Sequence, residues 1–257
     1  MKFIFDLDGT ICFKGQPIST NILDCLLALE QAGHSVGFAS ARPYRDMLPV
    51  LDERFANHLL IGANGAMTHH QGSLQGYVPI PDRLASEIIS ILNDYRAQFF
   101  IDDTWNYAHN CAATHPFLSQ IDPKRSASRV DVDQLNAVLK ILILSCDRYE
   151  ELVARIKELD VTLHYHSAEG ILDLTYRGVN KWTALHRFGA AEEPFICFGN
   201  DMNDLPLFER AHHSVLIGEN EPLLPFAKEK ISLDDQVEAS IIAKLQELGA
   251  AYELARP

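Results

Sequence analysis

The chain has 257 residues, 47% of them hydrophobic, and a formal net charge of −13. That acidity argues against nucleic acid and anionic membrane as partners, and no apolar run approaches the roughly 18 residues of a membrane-spanning helix. Cys12, Cys25, Cys111, Cys146 and Cys197 are scattered without zinc spacing, which fits reduced thiols in a cytoplasmic protein.

Met1-Lys2 leads directly into the first apolar run and leaves no room for a signal peptide. Phe3-Ile4-Phe5 is unbroken, as expected of a strand buried on both faces. It ends in Asp6-Leu7-Asp8-Gly9-Thr10. Period-two geometry turns the Asp6 and Asp8 carboxylates to one side, just past the strand. In open parallel sheets that is where ligands bind. Two like charges this close need a cation between them or a proton on one of them. One carboxylate can serve as a nucleophile that forms an aspartyl-phosphate. The other can serve as general acid and base.

A helix capped by Ser19 or Thr20 follows, with Ile22, Leu26 and Leu29 on its apolar face and Gly33 at its end. Residues 35–39 read as a second strand ending at Ser40, and Pro43 opens a helix. A hydroxyl and backbone amides at a helix start can hold a phosphate. Arg42 beside it can hold an anion or pair with an acid. Residues 58–62 make a third strand that ends in Ala63-Asn64-Gly65, and a hairpin punctuated by Gly72 and Gly76 comes next. This βαβαβ order predicts a parallel sheet wrapped by helices.

Around Pro79-Ile80-Pro81 the character changes. Residues 84–95 have helical periodicity and 99–101 read as a strand. The stretch 102–131 is polar and gives no clear element. A strong strand at 138–145, a helix at 149–159 and two alternating strands at 161–166 and 171–176 predict an antiparallel α+β unit. A helix at 181–188 and the apolar strand 194–198 then resume the first pattern. Segments 214–217 and 230–233 extend the sheet, and Asp234 caps a last helix reaching about Leu248. The fold class is therefore α/β: a doubly wound, mostly parallel, Rossmann-like core from residues 1–80 and 179–257, with an inserted cap domain at 81–178.

Two more signals sit where the core resumes. Lys181 lies on the first turn of its helix, where a cation opposes the helix dipole. A phosphoryl site crowded with carboxylates needs such a cation. Gly199-Asn200-Asp201-Met202-Asn203-Asp204 follows a buried strand and brings several oxygen-bearing side chains together. With Asp6 and a backbone carbonyl they could supply the few protein ligands Mg²⁺ takes.

The order of these signals, with the insertion between the second and third, resembles the haloacid dehalogenase superfamily. Within it the chain resembles the Cof-type sugar-phosphate phosphatases along its whole length. Phe5-Asp-Leu-Asp-Gly-Thr10, Asn64-Gly65-Ala66, Asp173-Leu174 with Gly178-Val-Asn-Lys181, and Gly199 to Asp204 carry the likeness. The resemblance implies catalysis by Asp6 as nucleophile, Asp8 as acid and base, and Lys181. It implies phosphate binding by Ser40, Ala41 and Lys181, and substrate binding by Arg42, Asn64 and Gly65. Mg²⁺ would be held among Asp6, the Asp8 carbonyl, Asn200, Asp201 and Asp204.

Three positions depart from the family's pattern. Ser40-Ala41-Arg42 stands for Thr-Gly-Arg and keeps the hydroxyl. Trp182 follows Lys181 where a small residue is common, and is expected to narrow the entrance. Asn200 replaces the usual aspartate, so either its amide oxygen or neighbouring Asp201 is the direct metal ligand. His69-His70 and His212-His213 read as loop or surface residues. His164 and His166 share one face of a cap strand and, with Trp105, Tyr107 and His109, are candidates for substrate contact.

The expected activity is hydrolysis of small phosphorylated metabolites by a monomer or weak homodimer. A phosphomutase would use the same intermediate. A catalytically weak phosphometabolite-binding protein is the reading from another class, suggested by Asn200.

Overall fold

The computed structural model describes residues 1–166, 171–190 and 193–252. In chain order the strands are β1 (Lys2–Phe5), β2 (Ser35–Ala39), β3 (Leu59–Gly62), β4 (Met67–His70), β5 (Ser73–Tyr77), β6 (Gln98–Asp102), β7 (Tyr107–His109), β8 (Lys140–Ser145), β9 (Val161–His166), β10 (Ile171–Tyr176), β11 (Phe195–Gly199), β12 (His213–Ile217) and β13 (Glu229–Ile231). The helices are α1 (Thr20–Gln31), α2 (Tyr44–Met47), α3 (Asp82–Asp94), α4 (Tyr149–Ile156), α5 (Lys181–Arg187), α6 (Leu205–Phe208) and α7 (Val237–Ala251).

Eight strands form the core sheet in the order β13-β12-β11-β1-β2-β3-β4-β5. The run from β13 to β3 is parallel, and the β4–β5 hairpin adds an antiparallel edge. The alternation along β1 explains its unbroken apolar run. Phe3 and Phe5 face the cluster that includes Leu26 and Leu29 of α1 and Leu245 and Leu248 of α7. Ile4 faces the opposite cluster, with Ala184 and Leu185 of α5. Both faces are covered, so no polar residue is tolerated until the strand ends. β5, last on its side of the sheet, is exposed along its whole length, with Leu74 and Tyr77 41% and 46% exposed.

The inserted strands form a second, antiparallel sheet in the order β7-β6-β8-β10-β9. One face is apolar: Phe99, Ile101, Ile141, Ile143, Leu172 and Leu174 pack with residues of α3 and α4. The alternate positions Asp102, Lys140 and Asp173 point the other way, toward the core. The chain changes sheets within a short step. Val78 N–H donates to the Ala66 carbonyl in the core, and Ile80 N–H donates at 2.7 Å to Val138 beside β8.

Several local expectations are corrected. The polar stretch after Asp102 contains the short strand β7 and single 3-10 turns, held by side chains such as Asp122, which accepts from Ser126 and Ala127 N–H. The last helix starts at Val237 rather than beside Asp234, because the Asp234 carboxylate accepts from Gln236 N–H at 2.8 Å and closes a preceding turn. His69 is not a surface residue. It is buried in β4 with its ring 3.7 Å from that of Tyr44 and nearly parallel to it, and burial lowers its pKa to about 4. Trp182 does not line an entrance; it stacks on Phe195 at 5.9 Å and carries Arg210 over its face at 5.3 Å.

Candidate active site

The loops that leave the carboxyl ends of β1, β2, β3 and β11, and the first turn of α5, bring the sequence-predicted residues together. Asp6 directly follows β1 and is 5% exposed. Its Oδ1 accepts from Lys181 Nζ at 2.7 Å, and its Oδ2 accepts from Thr10 Oγ1 at 3.1 Å. Lys181 also donates at 2.6 Å to Asp204 Oδ1. Burial works against the Lys181 ammonium, but the two carboxylates outweigh it and hold its pKa above the ordinary value. Burial pushes Asp6 up to about 7, against the pull of Lys181 and helped by the charge of Asp204. Two buried carboxylates thus share one buried ammonium, which leaves an excess negative charge beside Asp6 Oδ2.

Asn200 faces that excess. One terminal atom of its amide lies 3.0 Å from Asp6 Oδ2, 3.0 Å from the Asp8 carbonyl and 3.1 Å from Thr10 Oγ1. If this atom is the amide oxygen, three acceptors crowd together and a cation must separate them. The oxygens of a Mg²⁺ octahedron at 2.0–2.1 Å are about 2.9 Å apart along each edge. If it is the nitrogen, the amide donates to both oxygens instead. The donor set fits Mg²⁺: Asp6 Oδ2, the Asp8 carbonyl and, with its oxygen turned to them, the Asn200 amide would hold it. Gly9 makes the approach possible. It has φ +78°, and a Cβ there would lie 2.3 Å from the Asn200 amide nitrogen.

The other two expected metal residues, Asp204 and Asp201, make hydrogen bonds within their own loop and to Lys181 and Asn220. Asp204 Oδ1 is bonded to Lys181, and its Oδ2 accepts from the N–H groups of Asn200 and Asp201 at 2.9 and 3.2 Å. Both oxygens accept hydrogen bonds that hold the loop in shape. Asp201 caps the turn that follows: its Oδ1 accepts from Met202 N–H at 2.8 Å and from Asn220 Nδ2 at 3.3 Å. Its side chain is drawn toward Asn220, and Asn200 is the one directed at Asp6.

Asp8 is the exposed member of the first pair. Arg42 grips it with two bonds of 2.7 Å, from Nε and Nη2. Arg42, expected at the substrate, is thus engaged with the acid/base candidate. Ser40 is buried and its Oγ accepts from Arg42 N–H at 3.1 Å. Ala41 presents its carbonyl to Lys140 of the cap at 2.8 Å. Ser40 lies before α2 and not at its start, because Pro43 is the residue that precedes the helix. The segment 40–42 is therefore a loop.

Asn64 and Gly65, expected as substrate-binding, are interior. Asn64 is fully buried in a left-handed conformation. It donates to Asp173 at 2.8 Å and accepts from Asn203 at 3.0 Å, so it ties core loops to the cap. Gly65 has φ +99°, and a Cβ would lie 2.2 Å from the Asn180 carbonyl. It lets the third loop pack against the start of α5. His164 is buried, bonds Thr175 Oγ1 at 2.9 Å, and lines a cavity with Asn180, Met202 and Asn203 of the core. The side chain of His166 lies outside the described residues. Trp105 Nε1 donates to Ser126, Tyr107 lies under the Arg45 guanidinium at 5.1 Å, and His109 stacks on Phe100.

Sequence reasoning missed Thr10, whose hydroxyl stands between Asp6 and Asn200. It also missed the residues that join cap to core. Arg45 of α2 donates at 2.5 Å to Asp102 and at 2.8 Å to the Trp105 carbonyl, and Asp46 accepts from Asp122 N–H at 2.9 Å. A signal was present for two of the cap residues: Lys140 and Asp173 are single charges inside otherwise apolar strands.

Residues 3–239 match the family model of haloacid dehalogenase-like hydrolases. The chain belongs to that family. It is 24% identical, over 83% of its length and 84% of the relative's, to a 5-amino-6-(5-phospho-D-ribitylamino)uracil phosphatase of Bacillus subtilis. It is 25% identical to an HMP-PP phosphatase of Yersinia pseudotuberculosis, over 97% of this chain and 92% of that one. Among solved structures, a HAD subclass IIB sugar phosphatase superposes with a TM-score of 0.77 at 16% identity, covering 96% of this chain and 98% of that chain. Family and relatives together mark the chain as a phosphatase, with the α/β core and inserted cap of its structural neighbours.

Proposed function

We propose that the chain hydrolyses phosphate monoesters of small metabolites in the presence of Mg²⁺, through an aspartyl-phosphate on Asp6. The observation that carries this reading is the division of labour at Asp6. One oxygen is bonded to Lys181, and the other lies 3.0 Å from the Asn200 amide, which also faces the Asp8 carbonyl. Bound there, Mg²⁺ would neutralise charge on the carboxylate and on the phosphoryl oxygens.

The chain's own residues do the rest. Ser40, the Ala41 segment and Lys181 hold the phosphoryl group in line with Asp6, and positioning and charge compensation dominate the barrier to its transfer. Asp6 attacks phosphorus as the bond to the leaving oxygen breaks. Asp8 protonates that oxygen, then takes a proton from the water that hydrolyses the acyl phosphate. Arg42 must release one Asp8 oxygen before it can carry a proton. The cap covers the site and excludes bulk water.

The names of the relatives support a small phosphorylated metabolite as substrate, of the sugar-phosphate kind or carrying a pyrimidine ring. A panel of such esters, assayed for phosphate release with Mg²⁺ and with a chelator, identifies it. Acid-quenched enzyme should carry one phosphoryl group on Asp6 by mass spectrometry. Turnover that yields an isomeric phosphate and no free phosphate would make the chain a mutase instead. Absence of Mg²⁺-dependent turnover across the panel would leave only a binding role.

A further inference from the structure

Lys140 is the least expected charge in the molecule. It opens β8, an otherwise apolar strand, and is 4% exposed. Its ammonium donates at 2.8 Å to the Ala41 carbonyl, across the boundary between cap and core. It lies 3.3 Å from Asp173 and 3.8 Å from Asp102, both cap carboxylates. Burying an ammonium this deeply is costly unless charges and hydrogen bonds surround it. The two carboxylates belong to the cap, but the carbonyl belongs to the core.

The Ala41 carbonyl shares a peptide group with the Arg42 N–H, which donates to Ser40 Oγ at 3.1 Å. One peptide is therefore held by the cap's ammonium at its oxygen and by the phosphate-loop hydroxyl at its nitrogen. A cation on a carbonyl oxygen polarises the peptide and strengthens its N–H as a donor. The same segment carries the Arg42 side chain that grips Asp8. A parallel link reaches the next loop: Asp173, the partner of Lys140, accepts from Asn64, whose N–H donates to the Ser40 carbonyl at 3.0 Å. Two cap residues that form an ion pair thus hold the Ser40 segment from two sides.

We propose that Lys140 is a positioning residue through which seating of the cap sets the Ser40–Ala41–Arg42 loop, so that the phosphoryl site takes its binding shape only with the cap docked. The inference rests on the reading of Asp6, Ser40 and Lys181 as the phosphoryl-transfer site. Lys140 acts through the Ala41 carbonyl and touches no reacting atom. A cap serving only as a cover needs no ammonium on the core's backbone.

The test uses the full chain with Mg²⁺, p-nitrophenyl phosphate as substrate and orthovanadate as a small oxyanion that reports the phosphoryl site alone. Lys140→Met should raise the vanadate inhibition constant and KM about tenfold and lower kcat, and Lys140→Arg should recover most of the loss. Should the Met variant not fold, Lys140→Gln removes the charge, keeps a donor, and should show the same direction. A folded Met or Gln variant with a lower melting temperature but unchanged vanadate inhibition and KM would reduce Lys140 to a structural role and overturn the proposal. Wild-type protein that neither turns over the ester nor responds to vanadate would overturn the phosphatase reading first, and this inference with it.

Discussion

The two sheets carry polar chemistry in different places. In the central strands β1, β2, β3 and β11 of the core sheet every interior position is apolar, and the candidate site groups appear only where strands stop: Asp6 after β1, Ser40 after β2, Asn200 after β11. In the antiparallel cap sheet the polar groups sit within the strands, on the face opposite α3 and α4: Asp102, Lys140 and Asp173. The difference follows from what covers each sheet. A sheet buried on both faces leaves only its edges and ends for polar groups. A sheet with one covered face can present polar side chains on the other. The core thus supplies a site at a sheet end, and the cap supplies a polar surface that docks on it.

Mutations at the two kinds of position should separate these roles. The largest effect belongs to the core. Asp6→Asn should cost at least four decades in turnover, about 5.5 kcal/mol, while the melting curve stays cooperative. Retention of more than about a hundredth of wild-type rate would rule out the covalent route. At the joint, Arg45 is buried between Asp46 and Asp102, so Arg45→Met removes the cation they share and leaves Asp102 only Lys140, at 3.8 Å. A loss of about 3–5 kcal/mol in urea unfolding is expected, with the cap released before the core. One unchanged transition would mean that the cap is not held by this pair.

A third test concerns pH. His69 stays neutral in the folded chain down to about pH 4, whereas unfolded it takes a proton below about 6.5. Between those values the unfolded state binds more protons, so this contribution is full above pH 6.5 and is lost as pH falls toward 4. His69→Phe preserves the stack on Tyr44 and should remove about 2–3 kcal/mol of that acid sensitivity, measured by urea unfolding at pH 7 and 4.5. Equal acid sensitivity in both proteins would place the cause elsewhere. The smallest effect is expected at the metal. Asn200→Asp should tighten Mg²⁺ about tenfold by calorimetry, about 1.4 kcal/mol, and lower the melting temperature in chelator, where a third carboxylate stands unopposed near Asp6. Unchanged values in both measurements would mean that Asn200 does not face the cation.

The core was legible because its signals are local. An apolar run that stops at Asp6-Leu7-Asp8 states both the strand and the site, and Lys181 and Asn200 follow the same grammar. The contacts of Arg42 and Asn64 were not legible, since each depends on a partner distant along the chain. Arg42 meets Asp8, and Asn64 meets Asp173, 109 positions away. Nor does a composition reading tell an acid that binds a cation from one that closes a turn. Asp201 and Asp204 accept from N–H groups of their own loop, which composition does not show. The cap's polar stretch was opaque for a related reason: short turns held by side chains leave no periodicity to read.

One consequence follows from the open flank at β5. Its outer backbone groups are unpaired to any further strand of the sheet, and Leu74 and Tyr77 stand beside them in solvent. Such a flank is a template for another extended chain. The net charge of −13 opposes such pairing between copies, over a screening length of about 8–10 Å at ordinary salt. As the medium approaches the isoelectric point of about 5.2 the repulsion disappears, and turbidity from flank-to-flank association is expected there first.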